Sequence, residues 1–154
     1  MADKNFLTES GHKRLKEELN KLKKIDRVKI AEKIKEARDM GDVQENTYYD
    51  STLEEQGYIE GRIEEIEIIL SNSAIVDKSK ADKSSVSIGN TVVVELEKKK
   101  DQFTIVGSVE ADPIKKMISN ESPVGKALLG AKVGDHVEVK TPIFTATYKI
   151  LEIK

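Results

Sequence analysis

The chain has 154 residues, of which 35% are charged and 5% aromatic, and its formal net charge is −2. This length allows one ordinary domain or two small ones, each with a modest core. The balanced charge excludes a bulk polycation, so affinity for nucleic acid would require a local patch. The absence of cysteine excludes disulfides, thiolate zinc sites and a cysteine nucleophile. No apolar run predicts a membrane span or a signal core, so we expect a cytoplasmic protein without membrane contact.

Apolar residues in the N-terminal half recur at spacings of three and four, which is typical of an amphipathic helix. The first stripe contains Leu15, Leu19, Leu22, Ile30, Ile34 and Ala37. Thr8 is a suitable N-cap, and no proline interrupts the pattern that follows. The first helix is therefore predicted from about Thr8 to about Asp39.

A second stripe contains Tyr49, Leu53, Gln56, Ile63, Ile66 and Leu70. A short segment with Gly41, a typical C-cap residue, separates the two stripes. Because neither helix could bury its apolar face alone, we predict an antiparallel coiled coil over residues 1–76. Helices of about 30 residues, at about 1.5 Å per residue, give a rod on the order of 45 Å long, too thin to enclose a pocket.

The C-terminal half shows the alternation of strands after a polar linker predicted at residues 77–85. Four β-rich runs are predicted, at residues 91–96, 103–106, 136–139 and 144–150. Residues 98–101 are interpreted as a charged hairpin turn, and residues 123–129 as a short helix with proline in its first turn. We predict an α+β protein in which residues 86–154 form a small domain, a curved antiparallel sheet packed on one helix.

Charge is distributed unevenly along the predicted rod. Residues 8–38 carry eleven basic and six acidic side chains, a net charge of +5, whereas residues 39–67 carry one basic and ten acidic, a net charge of −9. Pairing between oppositely charged helices explains this polarity and would fix their register. Alternatively, part of the basic helix faces a nucleic-acid backbone, and Lys33, Lys35 and Arg38 are best placed because they lie near the turn.

Two carboxylates, Asp42 and Glu45, lie three residues apart in the predicted turn. If Asp42 opens the second helix, both side chains lie on one side of it. One interpretation is a capping box, since acidic groups also suit the positive end of a helix dipole. The alternative is Mg²⁺ binding, although two carboxylates leave most of an octahedral shell unfilled. Such an incomplete site is useful if it is delivered into a macromolecule that already holds a metal and a phosphodiester.

Three segments resemble the bacterial Gre transcript cleavage factor family, and its GreA branch more than its GreB branch. They read ARDMGDVQEN at residues 37–46, QGYIEGRI at 56–63 and ISNESPVGKALLG at 118–130. The resemblance extends over essentially the whole chain, with the segments in the family's order. It implies an N-terminal antiparallel coiled coil with an acidic tip, followed by an FKBP-like domain that binds bacterial RNA polymerase.

The resemblance also implies an accessory factor and not an enzyme. In this family the globular domain binds the rim of the polymerase secondary channel, and the coiled coil enters the channel. Its acidic tip there helps to position a second Mg²⁺ and a water, and the polymerase hydrolyses the 3′ end of backtracked RNA. We therefore expect the nascent RNA 3′ end as a second partner and a monomeric protein. The Mg²⁺ would be shared with the polymerase, and the isolated protein would bind none.

Individual residues acquire roles from the resemblance. Asp42 and Glu45 match the tip carboxylates that assist Mg²⁺ and water, and Asn46 and Tyr49 are supporting neighbours. Arg38 matches a basic position on the rod. The segment that matches the polymerase contact contains Ile118, Ser119, Ser122 and Pro123.

Two positions depart from the family pattern, and other functions remain as alternatives. Leu53 replaces a frequent arginine, which favours GreA-like handling of short RNA ends. Tyr48 replaces a common glutamate, which leaves open a Gre-like regulator that enters the channel and inhibits polymerase without cleavage. A peptidyl-prolyl isomerase or chaperone is suggested only by the implied FKBP-like fold, and fold does not imply function. Aromatic residues for a proline pocket are few: Phe103, Phe144 and Tyr148.

Overall fold

The computed structural model describes residues 5–41, 46–77 and 83–154, which form two compact units. We call them the helical unit, Lys13–Asn72, and the sheet unit, Met1–His12 with Ser73–Lys154. The predicted α+β class is confirmed, because a long helical region is followed by a curled, mostly antiparallel sheet.

The first predicted helix forms over almost its predicted length, but in three parts. Helix α1 spans Glu9–Lys21, a π-helical turn spans Leu22–Asp26, and α2 spans Arg27–Asp39. After the turn, α3 spans Thr47–Ser71. Within the described ranges, no helix combines the length and the apolar character needed to cross a membrane.

The π-helical turn keeps the buried stripe of the first helix on one face. The buried residues Leu15, Leu22, Ile30 and Ala37 are separated by seven, eight and seven residues. In an unbroken α-helix, eight residues at about 100° each would place Ile30 about 80° around the helix axis from Leu22. The π-helical turn lies within the eight-residue interval and accommodates the extra residue. Ile30 and Ala37 can therefore face the same partner helix as Leu15 and Leu22.

Helix α3 buries a stripe that shares Ile63 and Ile66 with the predicted one, adds Ile59 and leaves Tyr49 and Gln56 only half-buried. The buried side chains are Thr52, Ile59, Ile63, Ile66 and Ile69. Leu53 is 40% exposed because Thr52 takes the inward position, and Ile69 is buried where Leu70 was predicted. The Thr52 hydroxyl donates to the Tyr49 carbonyl at 2.6 Å, so this buried polar group has a partner.

The sheet unit contains a five-stranded sheet and a separate two-stranded sheet. Its strands are β1 Asn5–Thr8, β2 Ser73–Val76, β3 Thr91–Leu96, β4 Lys99–Val106, β5 Met117–Ser119, β6 His136–Lys140 and β7 Thr145–Ile153. The large sheet has the order β5-β4-β3-β7-β6, and only the β4–β5 pair is parallel. Helix α4, Pro123–Leu128, follows β5 and forms where a short helix was predicted. Its Leu128 packs into a core with Val92, Ile105 and Ile150.

The predicted first domain, residues 1–76, does not coincide with the helical unit, because strand β1 belongs to the sheet unit. Strand β1 pairs in parallel with β2, and a Cβ added to Gly107 would overlap the Phe6 carbonyl oxygen. Such pairing over a long sequence separation leaves no local periodicity to detect. Of the predicted linker, residues 78–82 lie outside the described ranges, so the linker stays a prediction.

The hairpin turn between β3 and β4 lies at Glu97 and Lys98, and not at the predicted residues 98–101. Both residues have positive φ, 51° and 66°, the backbone signature of a type I′ turn. Antiparallel pairing continues up to Leu96 with Lys99, so the following residues extend β4.

Asn90 is fully buried and joins distant parts of the sheet unit. Its Oδ1 accepts hydrogen bonds from the Ser87 backbone N–H at 2.8 Å and the Ser87 hydroxyl at 2.7 Å. Its Nδ2 donates to the Lys154 carbonyl at 3.3 Å. The Asn90 side chain therefore ties the turn before β3 to the C-terminus.

We expect Asn90→Ala to lower the free energy of unfolding by about 2 kcal/mol, because it leaves buried polar groups without partners. Urea unfolding of the full chain, followed through sheet-unit resonances, measures this change. The control Asn20→Ala, at an exposed helical position, should alter stability by less than about 0.5 kcal/mol. A loss for Asn90→Ala no larger than that of the control would contradict the assigned role.

Candidate functional site

Basic side chains before the turn pair with acidic side chains of α3 in the helical unit. These pairs are Lys23 with Glu67, Arg27 with Glu60, and Lys33 with Glu55. As the first partner's number rises, the second partner's number falls, so the helices are antiparallel. The contacts support interhelical pairing as the explanation of the uneven charge distribution.

Arg62, the one basic residue among residues 39–67, lies between two glutamates. Its Nε and Nη2 donate to Glu18 at 2.7 and 3.1 Å, and its Nη1 donates to Glu65 at 2.9 Å. The hydrogen bond with Glu18 is the main reason that the pKa of the Arg62 guanidinium is raised. Arg62 therefore remains charged and links α3 to α1.

The Arg27–Glu60 pair has two-point geometry, with Nε–Oε1 and Nη2–Oε2 distances of 2.7 and 2.8 Å. The hydrogen bond from Arg27 lowers the pKa of the Glu60 carboxyl below its ordinary value, and the positive charge of Arg27 adds to this effect. The pair therefore stabilises the folded protein fully at pH values above the ordinary pKa of a glutamate carboxyl. This stabilisation is lost as the pH falls through the lowered pKa of Glu60.

We expect Arg27→Gln to return the pKa of Glu60 toward its ordinary value, because the charged donor is lost. An NMR titration of the Glu60 carboxyl carbon measures the shift. Lys29→Gln removes a charge from the same helix but no hydrogen bond to Glu60, and it should have a smaller effect. Equal shifts in the two variants would show that general charge, and not this pair, sets the Glu60 pKa.

The turn between α2 and α3 is held by the side chain of Asn46. Its Oδ1 accepts a hydrogen bond from the Tyr49 backbone N–H at 3.1 Å, so Asn46 is the N-cap of α3. Its Nδ2 donates to the Ala37 carbonyl in the last turn of α2 at 2.9 Å. Gly41 follows α2 with a φ of 144°, a conformation that favours glycine.

The predicted capping box at Asp42 and Glu45 is wrong, because α3 begins at Thr47 and its cap is Asn46. Asp42 and Glu45 themselves lie outside the described residues, so their role at a metal stays a prediction. Tyr49, predicted as a supporting residue, is half-buried and contributes the backbone N–H that binds Asn46.

The three predicted RNA-facing side chains differ in their surroundings. Lys33 Nζ lies 3.3 Å from Glu55 Oε1, so its charge is shared with α3. Lys35 and Arg38 are exposed, and neither forms an ion pair with another described residue.

Both departures from the family pattern lie on the surface of α3. Tyr48 is 43% exposed and Leu53 is 40% exposed. Tyr48 follows the N-cap by two residues, close in sequence to the turn. Since neither side chain is buried, packing within the helical unit does not explain the tyrosine and the leucine at these two positions.

The predicted polymerase-binding segment is fixed by hydrogen bonds within the sheet unit. Ser122 caps α4 by accepting from the Gly125 N–H at 3.0 Å, and its hydroxyl lies 2.7 Å from the Ser119 carbonyl. Ile118 is half-buried against the core, whereas Pro123 is exposed. Pro123 is thus the member best placed to touch a partner, and the serines shape the surface.

Two of the three aromatic residues considered for a proline-binding pocket pack against each other. Phe103 and Tyr148 pack edge to face with ring centroids 6.2 Å apart, and Tyr148 is buried in the core. Phe144 is 47% exposed in the segment between β6 and β7. Burial of Tyr148 in the core leaves its ring unavailable to line an open proline-binding pocket, which disfavours the isomerase alternative.

Within residues 5–41, 46–77 and 83–154, no three acidic or histidine side chains are grouped so that they could hold a metal. Asp42 and Glu45 lie outside these ranges.

Family models match nearly the whole chain. Residues 5–75 match the family described as "Transcription elongation factor, N-terminal", and residues 81–154 match "Transcription elongation factor, GreA/GreB, C-term". The helical unit and the sheet unit are thus those of a transcription elongation factor. More particularly, the chain belongs to the GreA/GreB family, and the predicted family is confirmed.

Curated relatives named Transcription elongation factor GreA match over the full chain. The protein of Thermoanaerobacter pseudethanolicus is 49% identical over 100% of this chain and 99% of its own length. That of Clostridium acetobutylicum is 48% identical over 98% and 97% of the two chains. Among solved structures, "the transcription factor Gfh1" aligns over 99% of both chains at 27% identity, with a TM-score of 0.49.

Proposed function

We propose that this protein enters the secondary channel of bacterial RNA polymerase and stimulates the polymerase's own hydrolysis of backtracked RNA 3′ ends. One observation carries the proposal: Asp42 and Glu45 lie between two antiparallel helices in a chain of the GreA/GreB family. The helical unit enters the channel, and the sheet unit binds its rim. Arrested complexes resume elongation after the cleavage.

Asp42 and Glu45 act as accessory ligands and not as an independent catalytic site. Two carboxylates fill only part of the octahedral shell of Mg²⁺, so the polymerase and the RNA supply the other ligands. At such a site the metal polarises the phosphodiester and lowers the pKa of a bound water. The protein's contribution is to hold two carboxylate oxygens near the metal and the attacking water.

Basic residues beside the turn assist by facing the RNA. Lys35 and Arg38 are exposed on α2, and a phosphate could compete with Glu55 for Lys33. At the rim, the exposed Pro123 and the loop shaped by Ser119 and Ser122 contact the polymerase. The protein acts as a monomer, and because its partner is bacterial RNA polymerase, it acts in the cytoplasm.

We expect Asp42→Asn and Glu45→Gln each to reduce stimulated cleavage by about tenfold or more, because the amides keep the size of the side chain but lose the charge that attracts the metal. The measurement is the rate of RNA shortening in one backtracked complex, across a Mg²⁺ titration that should partly restore the rate. Each variant should still compete with the wild type for polymerase.

Asp39→Asn provides the matched control, because Asp39 is exposed at the end of α2. Its rate should equal that of the wild type. Wild-type rates for Asp42→Asn and Glu45→Gln would contradict the assigned role of the carboxylates. If the wild-type protein binds polymerase and slows it without stimulating cleavage of the RNA, the inhibitor alternative is correct.

Substitutions at two adjacent residues of the sheet unit should have different effects, one on stability and the other on polymerase binding. Ser122→Ala should cost about 1 kcal/mol of stability, because it removes the N-cap of α4. Pro123→Ala should weaken polymerase binding while the unfolding transition changes little. Competition binding and thermal unfolding measure the two effects, with exposed Pro142→Ala as the control. Unchanged affinity for Pro123→Ala would show that the contact lies elsewhere.

A further inference from the structure

Strand β6 is an open edge of the five-stranded sheet. Within the part of the chain that the structure describes, β6 pairs with β7 on one side and has no strand on the other. The opposite edge strand, β5, has three residues, whereas β6 has five. An open edge presents unpaired backbone N–H and C=O groups, so β6 is a template for pairing with another strand.

The hairpin between β6 and β7 shows which backbone groups of β6 point outward. The Thr141 N–H donates to the Phe144 carbonyl at 2.8 Å, so these two opposed residues form a hydrogen-bonded pair. Hydrogen-bonded and non-hydrogen-bonded pairs alternate along an antiparallel ladder, so the odd-numbered residues of β6 also bond to β7. The N–H and C=O groups of His136, Glu138 and Lys140 therefore point to the open side.

Charge selects one register for two β6 strands that pair in opposite directions. Glu138 and Lys140 are both exposed, and their charged atoms lie 3.8 Å apart within the chain. If Val139 lies opposite the partner's Val139, each Glu138 lies opposite the partner's Lys140, and the outward backbone groups of both residues meet. If the axis moves by one residue, the two copies of Glu138 oppose each other, and like charges directly opposite are destabilising.

Exposed apolar side chains lie beyond both ends of β6. Val133, which precedes the strand, is 58% exposed, whereas Ile143 and Phe144, in the hairpin that follows it, are 93% and 47% exposed. In the register centred on Val139, the start of one strand lies beside the end of the other. The partner's Val133 then comes level with Thr145, next to the apolar hairpin. The same pairing therefore covers the apolar groups at both ends and removes them from water.

We propose that two copies of this chain associate through β6, in opposite directions, and join their five-stranded sheets into one. Both copies use the same surface, as an interface with two-fold symmetry requires. The contact is confined to one strand and its two ends, so the association is reversible and depends on protein concentration. The dimer is a state of the free protein and goes beyond the proposed function, in which a single copy acts at the polymerase.

Charge substitutions test the register. Glu138→Lys and Lys140→Glu should each raise the dissociation constant of the dimer by about tenfold, because two cross-strand pairs change from attraction to repulsion. The double variant with both substitutions restores opposite charges and should dimerise like the wild type. An equal mixture of the two single variants should form heterodimers, because all opposed charges then differ in sign.

Two further variants separate the apolar contribution from a general effect of charge. Ile143→Ser should also raise the dissociation constant by about tenfold, because it removes apolar surface at both ends of the contact. Lys115→Glu makes the same charge change on an exposed loop before β5, away from β6. This control should leave the dissociation constant within about twofold of the wild-type value.

Sedimentation equilibrium of the full chain measures the dissociation constant, and thermal unfolding shows that each variant is folded. In a mixture of isotope-labelled and unlabelled chains, NMR should detect contact between the Val139 Hα atoms of the two copies, which are close in a non-hydrogen-bonded pair. A wild-type protein that stays monomeric at every concentration would overturn the proposal. A dimer that Glu138→Lys and Lys140→Glu leave unchanged would overturn it as well.

Two other results would also contradict the proposed pairing. If the double variant is folded but does not dimerise, opposed charges do not set the register. If the wild type stays monomeric and Ile143→Ser weakens binding to RNA polymerase, the hairpin contacts the polymerase and self-association through β6 is wrong.

Discussion

The helical unit depends on the burial of two apolar stripes that neither helix could cover alone. This requirement explains the π-helical turn, which keeps Leu15 and Leu22 on the same face as Ile30 and Ala37 despite one extra residue. It also explains the antiparallel order, because a short connection between two helices allows the second to pack back on the first. In the sequence, the proposed metal ligands lie between the ends of these two helices.

The charges of the helical unit have two uses. Those beside the buried stripes, such as Arg27 with Glu60 and Arg62 with Glu18, pair across the helices and favour one register. Exposed pairs of this kind contribute little stability individually, so the apolar contacts supply most of it. Lys35 and Arg38 form no such pair within the described residues, and we propose that they face the RNA.

Local patterns in the sequence are sufficient to predict the helices, including α4, and the main strands, because the periodicity of these elements reflects one buried face. They could not predict β1, β2 or the Asn90 contacts, which join residues far apart in the chain. On α3, hydrophobicity favoured Leu53 over Thr52, yet Thr52 takes the inward position, and its hydroxyl keeps a partner there by bonding to its own helix. At the candidate site, the spacing of Asp42 and Glu45 is compatible with a capping box as well as with a metal site. The N-cap of α3 is assigned to Asn46 only because the structure shows where α3 begins.

We propose that this chain assists a polymerase and does not cleave RNA itself. A single experiment compares RNA in stalled bacterial elongation complexes, with and without the wild-type protein, alongside free RNA with the protein and Mg²⁺. We expect short 3′ fragments to be released rapidly only when polymerase and protein are both present, and elongation then to resume. Unchanged RNA in the stalled complexes, or efficient hydrolysis of free RNA, would show that the proposed function is wrong.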